Sequence, residues 1–228
     1  MSILRWLTLA ALSAVLPVVQ AADAHLSTDL QRLSYMIGLQ VGQNIAKQGF
    51  TELDPSAFAL AVQDALNGTP PRVTADQARA AQENYRKALQ ARQQQTAKDN
   101  LQKGQEFLAG NAKAEGVITL DSGVQYRVLK EGNGATASVE DTVVVHYQGT
   151  LLTGVEFDSS YSRGEPLTFA LGQVITGWQQ VVSRMKAGAM VEAWIPAEHA
   201  YGTRGSPPNI GPNETLYFKI ELLEVKGK

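Results

Sequence analysis

The sequence predicts an α+β protein in which an all-helical amino-terminal region precedes a twisted antiparallel sheet wrapped on one short helix. Two observations lead to this prediction. Before Gly116, apolar residues recur every three or four positions, which is the period of an amphipathic helix. After Gly116, apolar and polar residues alternate in separate runs, which is the period of strands that bury one face. The chain has 228 residues, 44% of them apolar, which is enough for two such parts.

The composition excludes several classes of function. Cysteine is absent, which rules out disulfides, thiol nucleophiles and Cys-ligated metals. His25, His146 and His199 are scattered along the chain, so we expect no metal site. Gly132–Ala137 superficially matches a dinucleotide fingerprint, but no βαβ pattern follows it, and we interpret it as a turn and expect no cofactor. A net charge of -2 gives no reason to expect a nucleic acid partner.

Residues 1–21 have the pattern of a secretory signal peptide. Arg5 gives a positive start, residues 6–19 are mainly apolar, and small residues end the segment at Ala21. We therefore expect cleavage near Ala21 and a periplasmic or otherwise exported protein. The alternative is a membrane anchor, but the apolar run is shorter than the ~20 residues that a span requires. The mature protein is thus predicted to have no membrane span.

Two short amphipathic helices are predicted in residues 22–73. The first begins at Ser27 or Thr28 and ends at Gly49, and the second begins at the N-cap Asp54. Their apolar stripes are long relative to the core that two short helices can build, so we expect them to pair with a second copy of the chain. The alternative is a monomeric helical subdomain that folds back on itself. The stripes comprise Leu26, Leu30, Leu33, Ile37, Val41 and Ile45 in the first helix, and Phe58, Val62 and Leu66 in the second.

A long polar helix is predicted in residues 74–115. Thr74 and Gln77 form the pattern of a capping box at its start, and the helix could reach Ala114. Its apolar residues are sparse, so we expect a linker or stalk that is solvated over much of its length. Gly104 is predicted to weaken it by about 1 kcal/mol relative to alanine.

The sheet is predicted in residues 116–228. The alternating runs contain four strands, and one segment between them has helical spacing instead, with Thr176 as its N-cap and Gly188 just past its end. The strand runs are Val124–Val128, Val143–Gln148, Ala189–Ile195 and Leu216–Leu222, and the helical segment is marked by Trp178, Val181, Val182 and Met185.

One carboxylate and one phenol stand among aromatic and branched residues of this half. Asp158 directly follows Phe157, and Tyr201 lies between Ala200 and Gly202. A carboxylate beside apolar residues must find a donor or lie at a cavity edge. The residues therefore predict an apolar pocket with a few polar groups, which the loop 202–212 is long enough to overhang.

Several motifs in this half resemble those of the FKBP-type peptidyl-prolyl cis-trans isomerases, in the family's order and spacing. The resemblance extends over about residues 117–226. The amino-terminal half resembles the macrophage infectivity potentiator subgroup, exported bacterial dimers whose long helices hold two isomerase domains apart. The motifs are Val145–Leu151, Phe157–Ser160, Val174–Trp178, Ala200–Gly202 and Gly211–Phe218.

The resemblance implies a function and a set of site residues. The substrates would be unfolded or proline-containing polypeptides, and macrolide inhibitors are further ligands that it implies. Asp158, Tyr201 and Phe157 would be the catalytic residues, and the Tyr201 hydroxyl and the Ile175 N–H would bind substrate carbonyls. Substrate contacts would come from Tyr147, Val174, Ile175, Trp178 as the floor, Phe218, Arg163, Leu167 and Ile210.

Two other functions compete with the isomerase interpretation. A chaperone or binding module would hold unfolded chains and isomerise little, and a dimer with two pockets would gain avidity for one client. A purely structural exported protein would leave the polar pair Asp158 and Tyr201 without a purpose.

Overall fold

The computed structural model describes residues 26–47, residue 50 and residues 52–227. The predicted signal peptide and Gly49, the predicted end of the first helix, lie outside these residues. The chain forms two compact units, Met1–Val73 and Thr74–Lys228. Within the described part of the chain, no helix combines the length and the apolar character that crossing a membrane requires.

The first unit contains helices α1 (Asp29–Lys47) and α2 (Pro55–Leu66). At the start of α1 the Thr28 hydroxyl accepts from the Gln31 N–H at 3.2 Å, and Gln31 Oε1 accepts from the Thr28 N–H at 3.0 Å. Asp54 caps α2 as predicted. No residue of either helix is buried, so the apolar stripes face solvent in the single chain.

The second unit begins with the long helix α3 (Ala75–Asn111), which ends before Ala114. The predicted capping box of Thr74 and Gln77 is present. Much of α3 is exposed, but its last turns pack on the sheet, and Gly104 is its one buried residue. A Cβ at Gly104 would overlap the Thr215 side chain, so the glycine predicted to weaken the helix also allows α3 to approach Thr215 closely.

The sheet has seven strands, all paired antiparallel, and six of them follow the order β1-β2-β6-β7-β3-β4. The seventh, β5, pairs with the first half of β3, whereas β4 pairs with the second half. Three of these strands, β1, β4 and β5, were not predicted, because they are too short to display an alternating pattern. The strands are β1 (Val117–Thr119), β2 (Gln125–Lys130), β3 (Thr142–Leu151), β4 (Glu156–Ser159), β5 (Leu167–Ala170), β6 (Met190–Ile195) and β7 (Leu216–Val225).

The second unit also contains two short α-helices: α4 (Ser160–Arg163), and α5 (Thr176–Val182), which lies against the sheet. The bounds of α5 correct the prediction, because Ile175 occupies the N-cap position and Gly188 lies in a later turn. The core fills the space between α5 and the inner face of the sheet. Its fully buried side chains include Val143, Val145, Leu171, Val181, Val182, Ile195, Leu216, Ile220 and Leu222.

One predicted core residue is exposed. Val128 follows the alternation of β2 but retains 38% of its accessible surface. The reason is that β1 begins at Val117, opposite Arg127, so the β1 side of β2 has no neighbouring strand at Val128, although β6 still pairs with the other side, and a bulge follows Val128. Gln125 is buried instead, because its side-chain amide donates to the Leu108 carbonyl of α3 at 2.9 Å.

Candidate active site

An aromatic cavity of about 290 Å³ opens between α5 and the inner face of the sheet. Strands β3, β4, β5 and β7, the start of α5 and the segment after β6 each contribute to its lining. Most of the lining is apolar, with one carboxylate and two phenols. The lining residues are Tyr147, Phe157, Asp158, Leu167, Phe169, Gln173, Val174, Ile175, Trp178, Tyr201 and Phe218.

The Trp178 indole organises the floor of this cavity. Its ring meets those of Tyr147 and Phe218 edge to face, each with a centroid distance of 5.3 Å and an interplanar angle of 89°. Phe169 adds a third ring at 5.7 Å. Edge-to-face pairs place the positive rim of one ring on the negative face of another, which stabilises this arrangement. Trp178 is 5% exposed, so the floor is rigid and apolar.

Two glycines allow neighbouring side chains to pack closely against the backbone beside the cavity. A Cβ at Gly149 in β3 would lie 2.7 Å from the Phe157 ring and 2.8 Å from the Phe218 ring. A Cβ at Gly177 would overlap Ile195, so glycine lets α5 settle on β6. Real Cβ atoms do not tolerate such distances in a packed interior. Neither glycine was identified from the sequence, because a glycine required for close packing looks the same there as one in a turn.

The carboxylate of Asp158 is held by two partners. The Tyr147 hydroxyl donates to Asp158 Oδ2 at 2.5 Å, and Arg163 forms an ion pair with Asp158 Oδ1. Arg163 also donates to the Tyr147 hydroxyl at 2.8 Å, and its guanidinium lies 5.5 Å from the centroid of that ring. Burial raises the pKa of Tyr147, and the hydrogen bond to Asp158 raises this pKa further. The phenol therefore stays neutral and serves as a donor at physiological pH.

Two donors that line the cavity have no acceptor among the described residues. Tyr201 lies at the mouth, 41% exposed, and its hydroxyl makes no hydrogen bond there. Burial raises the pKa of Tyr201, and the charge of Asp158 adds to this rise. The backbone N–H of Ile175, at the N-cap position of α5, is likewise without a partner in this part of the chain. Such free donors can bind a carbonyl oxygen of a ligand.

The structure places nine of the predicted site residues on the cavity lining: Tyr147, Phe157, Asp158, Leu167, Val174, Ile175, Trp178, Tyr201 and Phe218. Arg163 is not part of the lining, but it donates to Tyr147 and Asp158, which are.

Ile210 corrects the prediction, because it does not line this cavity. Its backbone pairs with Ser206, which folds the loop on itself, and its side chain is 5% exposed within the hydrophobic core. The same folding explains why residues 202–212 do not overhang the cavity as predicted. The Pro212 carbonyl instead accepts a hydrogen bond from Asn100 of α3 at 2.9 Å.

Two lining residues, Phe169 and Gln173, were not predicted from the sequence. Phe169 lies two positions after Leu167 in β5, so both side chains occupy the same face of the strand, but this four-residue strand is too short to be recognised from its alternation. Gln173 follows in a turn and carries no such pattern.

His146 has a structural environment. Its Nδ1 lies 2.9 Å from the buried Ser160 hydroxyl, and its ring stacks on Tyr161 at 4.7 Å. Among the residues that the structure describes, no cluster of three or more His, Asp or Glu side chains could hold a metal ion.

Comparison with known proteins supports the same interpretation over most of the chain. The family "Domain amino terminal to FKBP-type peptidyl-prolyl isomerase" matches residues 30–128, and the family "FKBP-type peptidyl-prolyl cis-trans isomerase" matches residues 134–223. The chain is 40% identical to the "Outer membrane protein MIP" of Legionella longbeachae, with 90% of each chain covered. It is 38% identical to the peptidyl-prolyl cis-trans isomerase Mip of Coxiella burnetii, with 91% of each covered.

A solved structure shows the same architecture. The crystal structure of FkpA from Escherichia coli matches with a TM-score of 0.67 and 36% identity, and the match covers 88% of this chain and 98% of that one.

An α+β fold with an aromatic cavity, preceded by a helical region, defines a two-part prolyl isomerase. The chain belongs to the FKBP-type peptidyl-prolyl cis-trans isomerases, in the group that includes Mip and FkpA. The predictions of fold class, family and enzyme class are thereby confirmed.

Proposed function

We propose that the aromatic cavity is the catalytic site and that the proline ring of an Xaa–Pro segment binds against the Trp178 indole. The edge-to-face rings around Trp178 and the volume of about 290 Å³ support this proposal, because they suit a small apolar ring. A macrolide inhibitor that occupied the cavity would compete with the peptide. The proposed apolar contacts are Tyr147, Phe157, Val174, Ile175, Phe218 and, at the edge, Leu167, with Phe169 added from the structure.

The chemistry requires only that the barrier to rotation be lowered. Rotation about a peptide bond faces about 18–20 kcal/mol, because the planar amide is stabilised by resonance. The twisted amide has lost much of its charge separation, so an apolar cavity accepts it more readily than water does. No covalent bond breaks, and the reaction therefore needs neither a nucleophile nor a cofactor. Each 1.4 kcal/mol gained by the twisted state alone is about tenfold in rate.

The Tyr201 hydroxyl and the Ile175 N–H are the proposed donors to substrate carbonyls. Both line the cavity, and neither has an acceptor among the described residues. Donors fixed before the substrate arrives can favour the twisted geometry without reorganisation. The raised pKa of Tyr201 keeps its proton in place at physiological pH.

Asp158 is proposed to act by electrostatics and positioning, and Phe157 by packing against the substrate. The carboxylate already accepts from Tyr147 and pairs with Arg163, so it is not a free base. Phe157 meets Phe218 edge to face at 5.6 Å, which fixes one wall of the cavity beside that carboxylate.

The test is the cis-to-trans rate of a short Xaa–Pro peptide with the full mature chain. Asp158→Asn and Tyr201→Phe should each lower kcat/KM about tenfold. This is the effect of losing about one hydrogen bond to a charged group or to the substrate. Asp121→Asn and Tyr161→Phe are matched controls, because neither side chain lies in the cavity lining. Activity at the wild-type level in Asp158→Asn would remove Asp158 from the mechanism.

The helices of the first unit are proposed to form a homodimer. Their exposed apolar side chains support this, including Leu30 at 74% and Leu66 at 83% exposure, since soluble monomers rarely leave such a continuous apolar face in water. Light scattering on the full chain and on Thr74–Lys228 tests it: the full chain should have twice its monomer mass. A full chain that remained monomeric at all concentrations would support the folded-back subdomain instead.

A holding role for unfolded clients is proposed alongside isomerisation, because a dimer with two cavities would gain avidity for one extended chain. Suppression of client aggregation separates the two roles. If it survives Asp158→Asn but fails in Thr74–Lys228, holding belongs to the first unit. If the full chain suppresses aggregation and does not accelerate the peptide, the binding-module interpretation is correct.

Export is proposed from residues 1–21 and is supported by the name of the Legionella longbeachae relative, an outer membrane protein. Cell fractionation followed by mass spectrometry of the mature amino terminus should give a periplasmic or envelope protein that begins near Ala22. A protein that kept Met1 in the cytoplasm would contradict the proposal.

A further inference from the structure

One residue links the loop that carries Tyr201 to helix α3. Asn213 has a φ of +55°, the single positive φ of a non-glycine residue in the described chain. Its backbone N–H donates to the Gly202 carbonyl at 2.9 Å, and its side-chain amide donates to the Ala97 carbonyl of α3 at 3.1 Å. Asparagine is among the few residues that tolerate this left-handed conformation. The peptide group that follows Gly202, one residue after Tyr201, is thus tied to the helix.

The helix side of this link is also fixed. Asn100 Nδ2 donates to the Pro212 carbonyl at 2.9 Å and to Glu214 Oε1 at 3.0 Å, and both bonds are partly buried. Ala97 lies one turn before Asn100 and Gly104 one turn after it, on the same face of α3, because residues three and four apart are neighbours on a helix. Three contacts along one face therefore hold the segment that precedes β7.

The position of Tyr201 depends on these contacts with α3, because its own side chain has no hydrogen-bond partner among the described residues. No described residue accepts a hydrogen bond from its hydroxyl, and it is only half-buried, so its position follows from its backbone. That backbone is closed locally, since the Gly205 N–H donates to the Tyr201 carbonyl at 3.1 Å and to the Gly202 carbonyl at 3.3 Å. The same Gly202 carbonyl accepts from Asn213, which joins this closed turn to α3.

We propose that Asn213 is a positioning residue that holds Tyr201 in place through Gly202. Helix α3 therefore helps to set the geometry of the active site. This inference rests on the donor role proposed above for Tyr201. It goes beyond that role, because it assigns to the long helix a direct effect on the isomerase rate.

The experiment uses the full chain and the same Xaa–Pro peptide. Asn213→Gly keeps access to the positive φ and keeps the backbone N–H, but removes the amide that reaches Ala97. Its kcat/KM should fall about fivefold, the loss expected when one neutral hydrogen bond that holds a reacting group is removed. Gln102→Ala is the matched control, because Gln102 lies on α3 but its amide donates to the exposed Glu106 at 2.8 Å. A wild-type rate in Asn213→Gly would overturn the inference.

A double-mutant cycle with Tyr201→Phe distinguishes positioning from general destabilisation. If Asn213 acts through the Tyr201 hydroxyl, then Asn213→Gly should change kcat/KM less than about twofold in the Tyr201→Phe background. An undiminished loss in that background would overturn this inference alone. A Tyr201→Phe variant with the wild-type rate would overturn the donor role of Tyr201 and this inference with it. If Asn213→Gly does not fold, Asn100→Ala replaces it in the cycle, with the same outcomes.

Discussion

Gly104 is the position at which a single methyl group tests the packing of α3 on the sheet. In an isolated helix, replacing an interior glycine with alanine stabilises by about 1 kcal/mol. At Gly104 the added Cβ would overlap the buried Thr215 side chain, and overpacking of this kind costs about 1–3 kcal/mol. We therefore expect Gly104→Ala to destabilise the second unit by about 1 kcal/mol after the gain in helix propensity is subtracted.

Gly110 provides the matched control on the same helix. A Cβ at Gly110 meets nothing within 4 Å, so Gly110→Ala retains only the propensity gain, up to about 1 kcal/mol. The two variants should thus differ by roughly 2 kcal/mol, which corresponds to roughly 4–8 °C in Tm for a unit of this size. Adding Thr215→Ala to Gly104→Ala removes the overlapping hydroxyl and should recover part of the loss.

Tryptophan fluorescence during thermal unfolding is the appropriate assay. The chain has three tryptophans, and Trp178 and Trp194 both lie in the second unit, while Trp6 lies in the predicted signal peptide. The tryptophan fluorescence of the mature protein therefore measures the unfolding of the unit that contains α3. If Gly104→Ala were as stable as Gly110→Ala, the contact between α3 and Thr215 would not contribute to the fold, and the proposed role of α3 at the active site would lose its support.

Three further predictions concern the site and the pH dependence of stability. Gly149→Ala should displace the Phe157 and Phe218 rings and lower kcat/KM at least about fivefold, since overpacking costs about 1–3 kcal/mol, whereas a wild-type rate in the peptide assay would contradict the geometry. The ratio of kcat/KM between the wild type and Tyr201→Phe should stay constant from about pH 6 to about pH 9, because the pKa of Tyr201 is raised from 10.0. Burial and then the hydrogen bond to Glu192 raise the pKa of Tyr217 to about 12, so the unfolded chain loses this proton first and stability falls between pH 10.0 and about 12. In urea unfolding, the free energy of unfolding of Tyr217→Phe should fall less over that pH range than that of the wild type. An equal fall in both proteins would show that Tyr217 does not cause it.

Much of the site could be predicted because its parts are local in sequence. Asp158 directly follows Phe157, and Val174 to Trp178 run from the cavity wall into the first turn of α5, so a short motif fixes their relative positions. The family's spacing then indicated that these pieces meet.

What the sequence did not reveal depends on contacts between distant segments. Gly149 matters because of rings on β4 and β7, and Asn213 matters because of a helix carbonyl at Ala97, 116 positions earlier. Ile210 was expected to contact the substrate, yet its backbone pairs with Ser206 and its side chain lies in the core. Neither periodicity nor composition carries information about such pairings, since each depends on the path of the chain between the partners.

The packing of α3 changes which fragment is suitable for assigning the activity. The sequence suggested a boundary near Ala114, with the helix as a separate stalk. A fragment that began there would lack the helix face that binds Pro212 and Asn213, and would leave the buried Gln125 amide without the Leu108 carbonyl and the Asn111 side chain. An unsatisfied buried amide costs about 1–3 kcal/mol. If a fragment from Ala114 isomerised the peptide slowly, the cause could therefore be a displaced Tyr201 loop rather than the loss of the first unit. The fragment Thr74–Lys228 keeps every one of these contacts and removes the first unit alone.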